Sequence, residues 1–221
     1  MMSLKLKLGL FITLLFSAAI SNAIFTFVLE GYSDKKLHWV AHTHEVMLKT
    51  QNYLGSLKDT ETGQRGYLLT KDINYLEPYH RGVINAEESF KELTLLTSDN
   101  PIQQKRLKKI ETSMHLKFAE LKTTIELAQS GEKGHTKALE IVKENQGKYI
   151  MDDIRRELSK FRTTESLLLE VRKGDFREQK ASLTTLIAIE ILFFLFLAFI
   201  TYAFLNRNLF EPLDILLKGT Q

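Results

Sequence analysis

The chain has 221 residues, 44% hydrophobic and 26% charged, enough for one extramembrane domain with anchors. It contains no cysteine, which excludes a disulfide framework, a thiolate metal site and a cysteine nucleophile. A net charge of only +3 makes no case for nucleic-acid binding, and three prolines with 11 glycines favour long helices over a turn-rich β fold.

The first element is an uncharged run from Leu8 to Leu29. At about 1.5 Å per helical residue it crosses a hydrocarbon core of about 30 Å. Lys5 and Lys7 precede it, so residues 1–7 are expected in the cytoplasm and 8–29 as the first transmembrane helix. A cleaved signal peptide is the alternative, because Ser21-Asn22-Ala23 is a passable small-residue cleavage site. The run nevertheless continues through Ile24-Phe25-Thr26-Phe27-Val28-Leu29, beyond the roughly 7–15 residues of a signal core, which favours an uncleaved anchor.

Residues 30–182 read as an outer helical domain. Val40, Met47, Leu54 and Leu68 recur at near-heptad steps on its first helix. The spacing breaks at Thr70-Lys71-Asp72, and Asn74 with Glu77 fits a capping box for a second helix running to about Thr97. Asn100-Pro101, with Gln103 at the capping-box position, marks the start of a third. That helix carries Leu107, Ile110, Met114, Leu121, Ile125 and Ala128, with Phe118 beside the stripe. Gly131 and Gly134 end it, a short crossover helix is expected over 135–145, and Gly147 ends that one. The fourth main helix starts near Lys148, bears Ile150, Ile154, Leu158, Phe161 and Leu168, and is expected to enter the membrane uninterrupted. These are the stripes of amphipathic helices in a four-helix bundle, so the expected fold class is all-α, flanked by two transmembrane helices.

The second span is Leu183 to Leu205, and Arg207 after it turns the C-terminus inward. Its one charge, Glu190, would cost roughly 2.5–3.5 kcal/mol near the bilayer centre and so must be protonated or partnered. Asn22, beside Ser21, lies at matching depth on the first span and is the expected partner, within a subunit or across a dimer. Such a bond is worth about 0.6–2 kcal/mol. It would serve as a register-fixing packing contact or as a latch that senses helix displacement.

The ordered residues now resemble a family. Trp39-Val40-Ala41-His42-Thr43, Glu45-Val46 and the run Asp59-Thr60-Glu61-Thr62-Gly63-Gln64-Arg65-Gly66-Tyr67-Leu68-Leu69-Thr70 resemble the third class of CHASE sensory domains. Further matches are Tyr75-Leu76-Glu77-Pro78-Tyr79, Asp99-Asn100-Pro101 with Gln103 and Gln104, and Gly147-Lys148 with Met151-Asp152-Asp153-Ile154-Arg155. Glu165 with Leu167-Leu168 also fits. The resemblance implies a helical sensor of a bacterial transmembrane receptor, held outside the inner membrane between two spans. It implies a cytoplasmic output: most often a histidine kinase, otherwise a chemoreceptor or diguanylate cyclase. The extracytoplasmic ligand stays undefined. Asn206-Arg207-Asn208-Leu209-Phe210-Glu211-Pro212-Leu213 looks like the opening of a HAMP linker, expected over 206–221, and implies a parallel homodimer.

Glu61 and Arg65, four apart on one helical face, continue the first apolar stripe, and Arg162 with Glu165 lie on the last one. A polar layer across the core is expected from these four, acting as a register pin or a ligand-recognition layer. Gly63 and Gly66 each cost about 1 kcal/mol relative to alanine within a helix. Close approach of another helix backbone is expected there rather than fraying into the turn at Thr70, because Tyr67-Leu68-Leu69 continues the helical pattern. His38, His42 and Glu45 share a face at a spacing that could hold zinc, but a solvated histidine face explains them better, and no metal or cofactor is expected. No phosphate-binding loop, zincin motif or nucleophile elbow occurs, so no catalysis is expected from this chain. The alternative to a sensor is an output-less membrane adaptor that docks a partner protein through its bundle.

Overall fold

The computed structural model describes residues 4–212, and the HAMP-like positions 213–221 lie outside the described residues. Five α-helices follow one another: α1 (Leu4–Thr70), α2 (Leu76–Leu96), α3 (Pro101–Gln129), α4 (Glu132–Lys143) and α5 (Gln146–Leu205). A 3-10 turn, Ile73–Tyr75, precedes α2, and a π-helical turn, Asn206–Phe210, follows α5. The described residues form no strand, so the fold is all-α.

The helix boundaries follow local chemistry. Lys71 takes a left-handed conformation (φ 60°) and its N–H bonds the Tyr67 carbonyl at 2.8 Å, which closes α1. The capping box expected from Asn74 and Glu77 does not form: Asp72 accepts from the Asn74 N–H at 2.9 Å and caps the 3-10 turn instead. An acceptor two residues upstream reaches that N–H first. Asn100 does cap α3, accepting from Gln103 N at 3.2 Å with Pro101 at the first position. Gly131, at φ 104°, separates α3 from α4, whereas Gly134 lies inside α4. The crossover helix is therefore Glu132–Lys143, earlier than the spacing suggested. Gly147 does not end it: Asn145 (φ 62°) makes the break, and Gly147 sits in the first turn of α5.

Two compact units divide the chain: residues 39–172, and residues 1–38 with 173–221. In the first, α1, α2, α3 and α5 enclose one core, with Tyr53 and Leu57, Phe90 and Leu93, Ile110 and Met114, and Ile154 and Phe161 at its centre. The α1 stripe is displaced from the expected one. Val46, Tyr53 and Leu57 face inward, while Met47 and Leu54 are half-buried. The reason is chemical. Thr43, Thr50 and Thr60 share the buried face, and each hydroxyl bonds a carbonyl three or four residues back on its own helix. A threonine so satisfied packs as a small apolar residue, which an apolar-only pattern overlooks.

In the second unit two helical stretches are long and apolar enough to cross a membrane: Leu8–Val28, and a stretch within the helix Gln146–Phe210. Large apolar side chains here are exposed, Phe27 at 78% and Phe199 at 69% among them. An apolar surface of this extent needs a cover other than water. Contacts of Phe11 with Phe204 (centroids 5.3 Å apart) and Lys36 with Asp175 (3.2 Å) advance along α1 as they recede along α5, so the two stretches run antiparallel.

Candidate functional site

The core of the unit 39–172 holds two polar clusters rather than one layer. The first lies between α1, α3 and the start of α5. Lys117 is 2% exposed and sits on the α3 seam between Met114 and Leu121. Its ammonium contacts the Glu120 carboxylate at 2.9 Å and that of Glu61 at 3.4 Å. Arg65 donates to the same Glu61 oxygen at 3.0 Å, but its side chain is 57% exposed. A buried ammonium is tolerable only with such partners, and the two carboxylates are compensated by the two cations. Gly147 permits the arrangement: a Cβ there would lie 2.6 Å from Glu120 Oε2 and 2.8 Å from Lys117 Nζ. One turn on, Gln64 Nε2 donates to Thr124 Oγ1 at 2.7 Å, in a fully buried pair.

The second cluster joins α3 to α5. Gln103, fully buried, donates through Nε2 to Glu165 Oε1 at 2.7 Å and to the Phe161 carbonyl at 3.1 Å. Arg106 bonds Gln103 Oε1 at 2.9 Å and Thr164 Oγ1 at 2.8 Å. Lys117 and Gln103 are fourteen residues apart on α3, about 21 Å of helix, so Glu61 and Glu165 occupy separate levels. The expected single layer of Glu61, Arg65, Arg162 and Glu165 is thus corrected. Arg162 is exposed and borders an open groove of about 790 Å³ with Lys49, Asp59 and Glu92. Sequence reasoning missed Lys117 and Glu120, and read Gln103 and Gln64 only as capping-box and motif positions rather than as buried polar partners. A signal existed, because Lys117 and Gln103 interrupt the apolar seam of α3.

Gly63 and Gly66 lie against the α2 entrance. A Cβ on Gly63 would be 2.6 Å from Tyr79 N, and one on Gly66 would enter the Tyr75 ring. At the other end of this unit Arg172 stacks on Trp39, 4.7 Å from the ring centroid, and donates to Thr43 Oγ1 at 2.5 Å. His42 meets Trp39 edge-on at 5.3 Å, and the described residues include no grouping of His, Cys, Asp and Glu able to hold a metal ion. In the apolar unit, Asn22 faces Glu190. With the amide nitrogen turned toward the carboxylate, the orientation that satisfies both groups, it donates to both Glu190 oxygens and, at 3.2 Å, to Thr26 Oγ1. Ala18, Ser21, Phe25, Phe193 and Phe194 surround the pair.

Burial holds the Tyr53 phenol far above its ordinary pKa, with the negative charge of Glu111 adding to the effect. Its hydroxyl has no hydrogen-bond partner among the described residues. At the surface, the Lys71 ammonium hydrogen-bonded to Glu132 lowers that carboxyl's pKa, and Lys160 does the same for Glu157.

The comparisons agree with this architecture. No curated protein matches the chain. The crystal structure of the Rhodopseudomonas palustris histidine kinase HK9 sensor domain superposes with a TM-score of 0.52 at 23% identity, over 57% of this chain and 98% of that one. That similarity concerns the fold. The family model of the CHASE3 domain, a sensor domain and not a catalytic one, matches residues 36–175, which take in the whole of the compact unit 39–172. The chain belongs to the CHASE3 domain family.

Proposed function

We propose that the chain is the input module of a bacterial inner-membrane receptor. Residues 8–29 and 183–205 cross the membrane, residues 30–182 lie outside, and both ends are cytoplasmic. A stimulus on the outer unit favours one packing of its helices, and α1 and α5 carry the displacement to a cytoplasmic output, a histidine kinase. The HAMP-like stretch from Asn206 onward would receive it in a parallel homodimer.

One observation carries this reading. α1 is a single helix over Leu4–Thr70 and α5 a single helix over Gln146–Leu205, so each supplies both an apolar stretch and part of the sensory core. A helix has no slack to absorb a shift of about 1–2 Å, the usual size of such movements. The coupling required is modest, about 1–3 kcal/mol. The histidine kinase to which the HK9 sensor domain belongs supports the choice of output.

The Asn22–Glu190 pair offers the readout. In a chain without native cysteine, Asn22→Cys with Glu190→Cys is expected to form an intrachain disulfide in membranes. Adding Arg172→Ala, which removes the stack on Trp39, is expected to change its yield. An unchanged yield contradicts transmission through these helices, and no disulfide at all contradicts the pairing.

A further inference from the structure

A cavity of about 290 Å³ opens between α1, α3, α4 and the start of α5, at the Lys117 cluster. Its size is that of about ten waters at roughly 30 Å³ each, and it falls at the small end of ligand pockets. One wall is apolar, made by Leu68 of α1 with Leu139 and Val142 of α4. The other is ionic. Two contacts hold α4 in position to complete the cavity: His135 Nε2 with the Leu68 carbonyl at 2.8 Å, and Lys71 with Glu132 at 2.7 Å.

The charges decide what fits. Glu61 and Glu120 are already held by Lys117 and Arg65, so neither carboxylate is available to an incoming ammonium. Lys148 also lines the cavity, and no carboxylate among the described residues pairs with it. The lining therefore presents one uncompensated cation facing an apolar wall. A second anionic group on a ligand would have to lie against Leu139 and Val142. We propose that this cavity binds a small organic monocarboxylate, its carboxylate on Lys148 and its apolar body against Leu68, Leu139 and Val142. Such a ligand bridges α1 and α5, the helices that carry displacement in the reading above, and this proposal rests on that reading for its physiological role alone.

The test uses the full chain in lipid nanodiscs, with calorimetry and thermal melting as readouts. Hexanoate and phenylacetate are the probes; hexanamide, hexylamine and adipate are the controls. At least one acid is expected to bind and raise the melting temperature, and each control to bind at least about tenfold more weakly. Lys148→Gln, at an exposed position, is expected to leave the melting temperature of the free protein unchanged and to weaken the acid about tenfold, the worth of one charge-assisted hydrogen bond. The proposal is overturned by failure of both acids to bind, by equal binding to Lys148→Gln, or by hexanamide, hexylamine or adipate binding as tightly as the acids or more tightly. Those failures leave the disulfide between positions 22 and 190 and its response to Arg172→Ala unaffected, so the two readings fall separately.

Discussion

Lys117 and Arg65 both approach Glu61, yet burial separates their worth. The lysine is 2% exposed and the arginine side chain 57%. Lys117→Met leaves the carboxylates of Glu61 and Glu120 buried without their shared cation, which is expected to cost about 3–5 kcal/mol. Arg65→Met removes a solvent-screened pair and is expected to cost less than about 1 kcal/mol. Urea melts of the two variants check the ordering, and equal losses would sink the claim that the cluster is buried. Tyr53 makes a second prediction. Its hydroxyl is buried without a partner, so Tyr53→Phe is expected to leave stability at neutral pH unchanged or raise it, by up to about 3 kcal/mol. The pKa of this phenol is raised in the folded state, so its contribution is complete below the unfolded value of about 10 and is lost as pH rises beyond it. The wild type should therefore lose more stability than Tyr53→Phe between pH 9 and pH 11, on the order of the ionisation of one tyrosine. Parallel pH profiles would be evidence against a buried, protonated Tyr53.

At the scale of the element, two glycines of α1 answer to different surroundings. Nothing lies within 4 Å of a Cβ built on Gly55, whereas on Gly63 it would press within 2.6 Å of the Tyr79 backbone nitrogen. Both alanine variants gain about 1 kcal/mol of helix propensity. Gly55→Ala is expected to keep that gain. Gly63→Ala is expected to lose it and become net destabilising, since overpacking costs about 1–3 kcal/mol. Thermal melts decide, and stabilisation by Gly63→Ala would mean that α2 does not pack closely there. The elements also show what the sequence made legible. Asn100-Pro101 was readable because cap, first-turn proline and bonded N–H lie within four residues. The start of α2 was misread because Asp72 and Asn74 compete for one role and only the backbone path decides between them. Glu61 and Glu165 were recognisable as polar residues on apolar stripes. Their partners, Lys117 and Gln103, are 56 and 62 residues away in the chain, and which of several helices each carboxylate faces depends on packing. Arg65 and Arg162 have long side chains that reach water from the edge of a stripe, so position alone misassigned them to the core.

At the scale of the molecule, the account needs a helical sensory unit on one side of a membrane and both chain ends on the other. On this reading α1 and α5 would transmit what the outer core feels, and the Asn22–Glu190 pair, hydrogen-bonded between them, would hold their apolar stretches in register. Because the chain has no cysteine, single cysteines report its topology without background. The most direct measurement is labelling of Ser3→Cys, Lys91→Cys and Arg207→Cys with a membrane-impermeant maleimide, before and after the membrane is permeabilised. The account predicts that position 91 labels in intact spheroplasts, and that positions 3 and 207 label only after permeabilisation. Labelling of all three from the same side, or loss of position 3 from the mature chain, would contradict it.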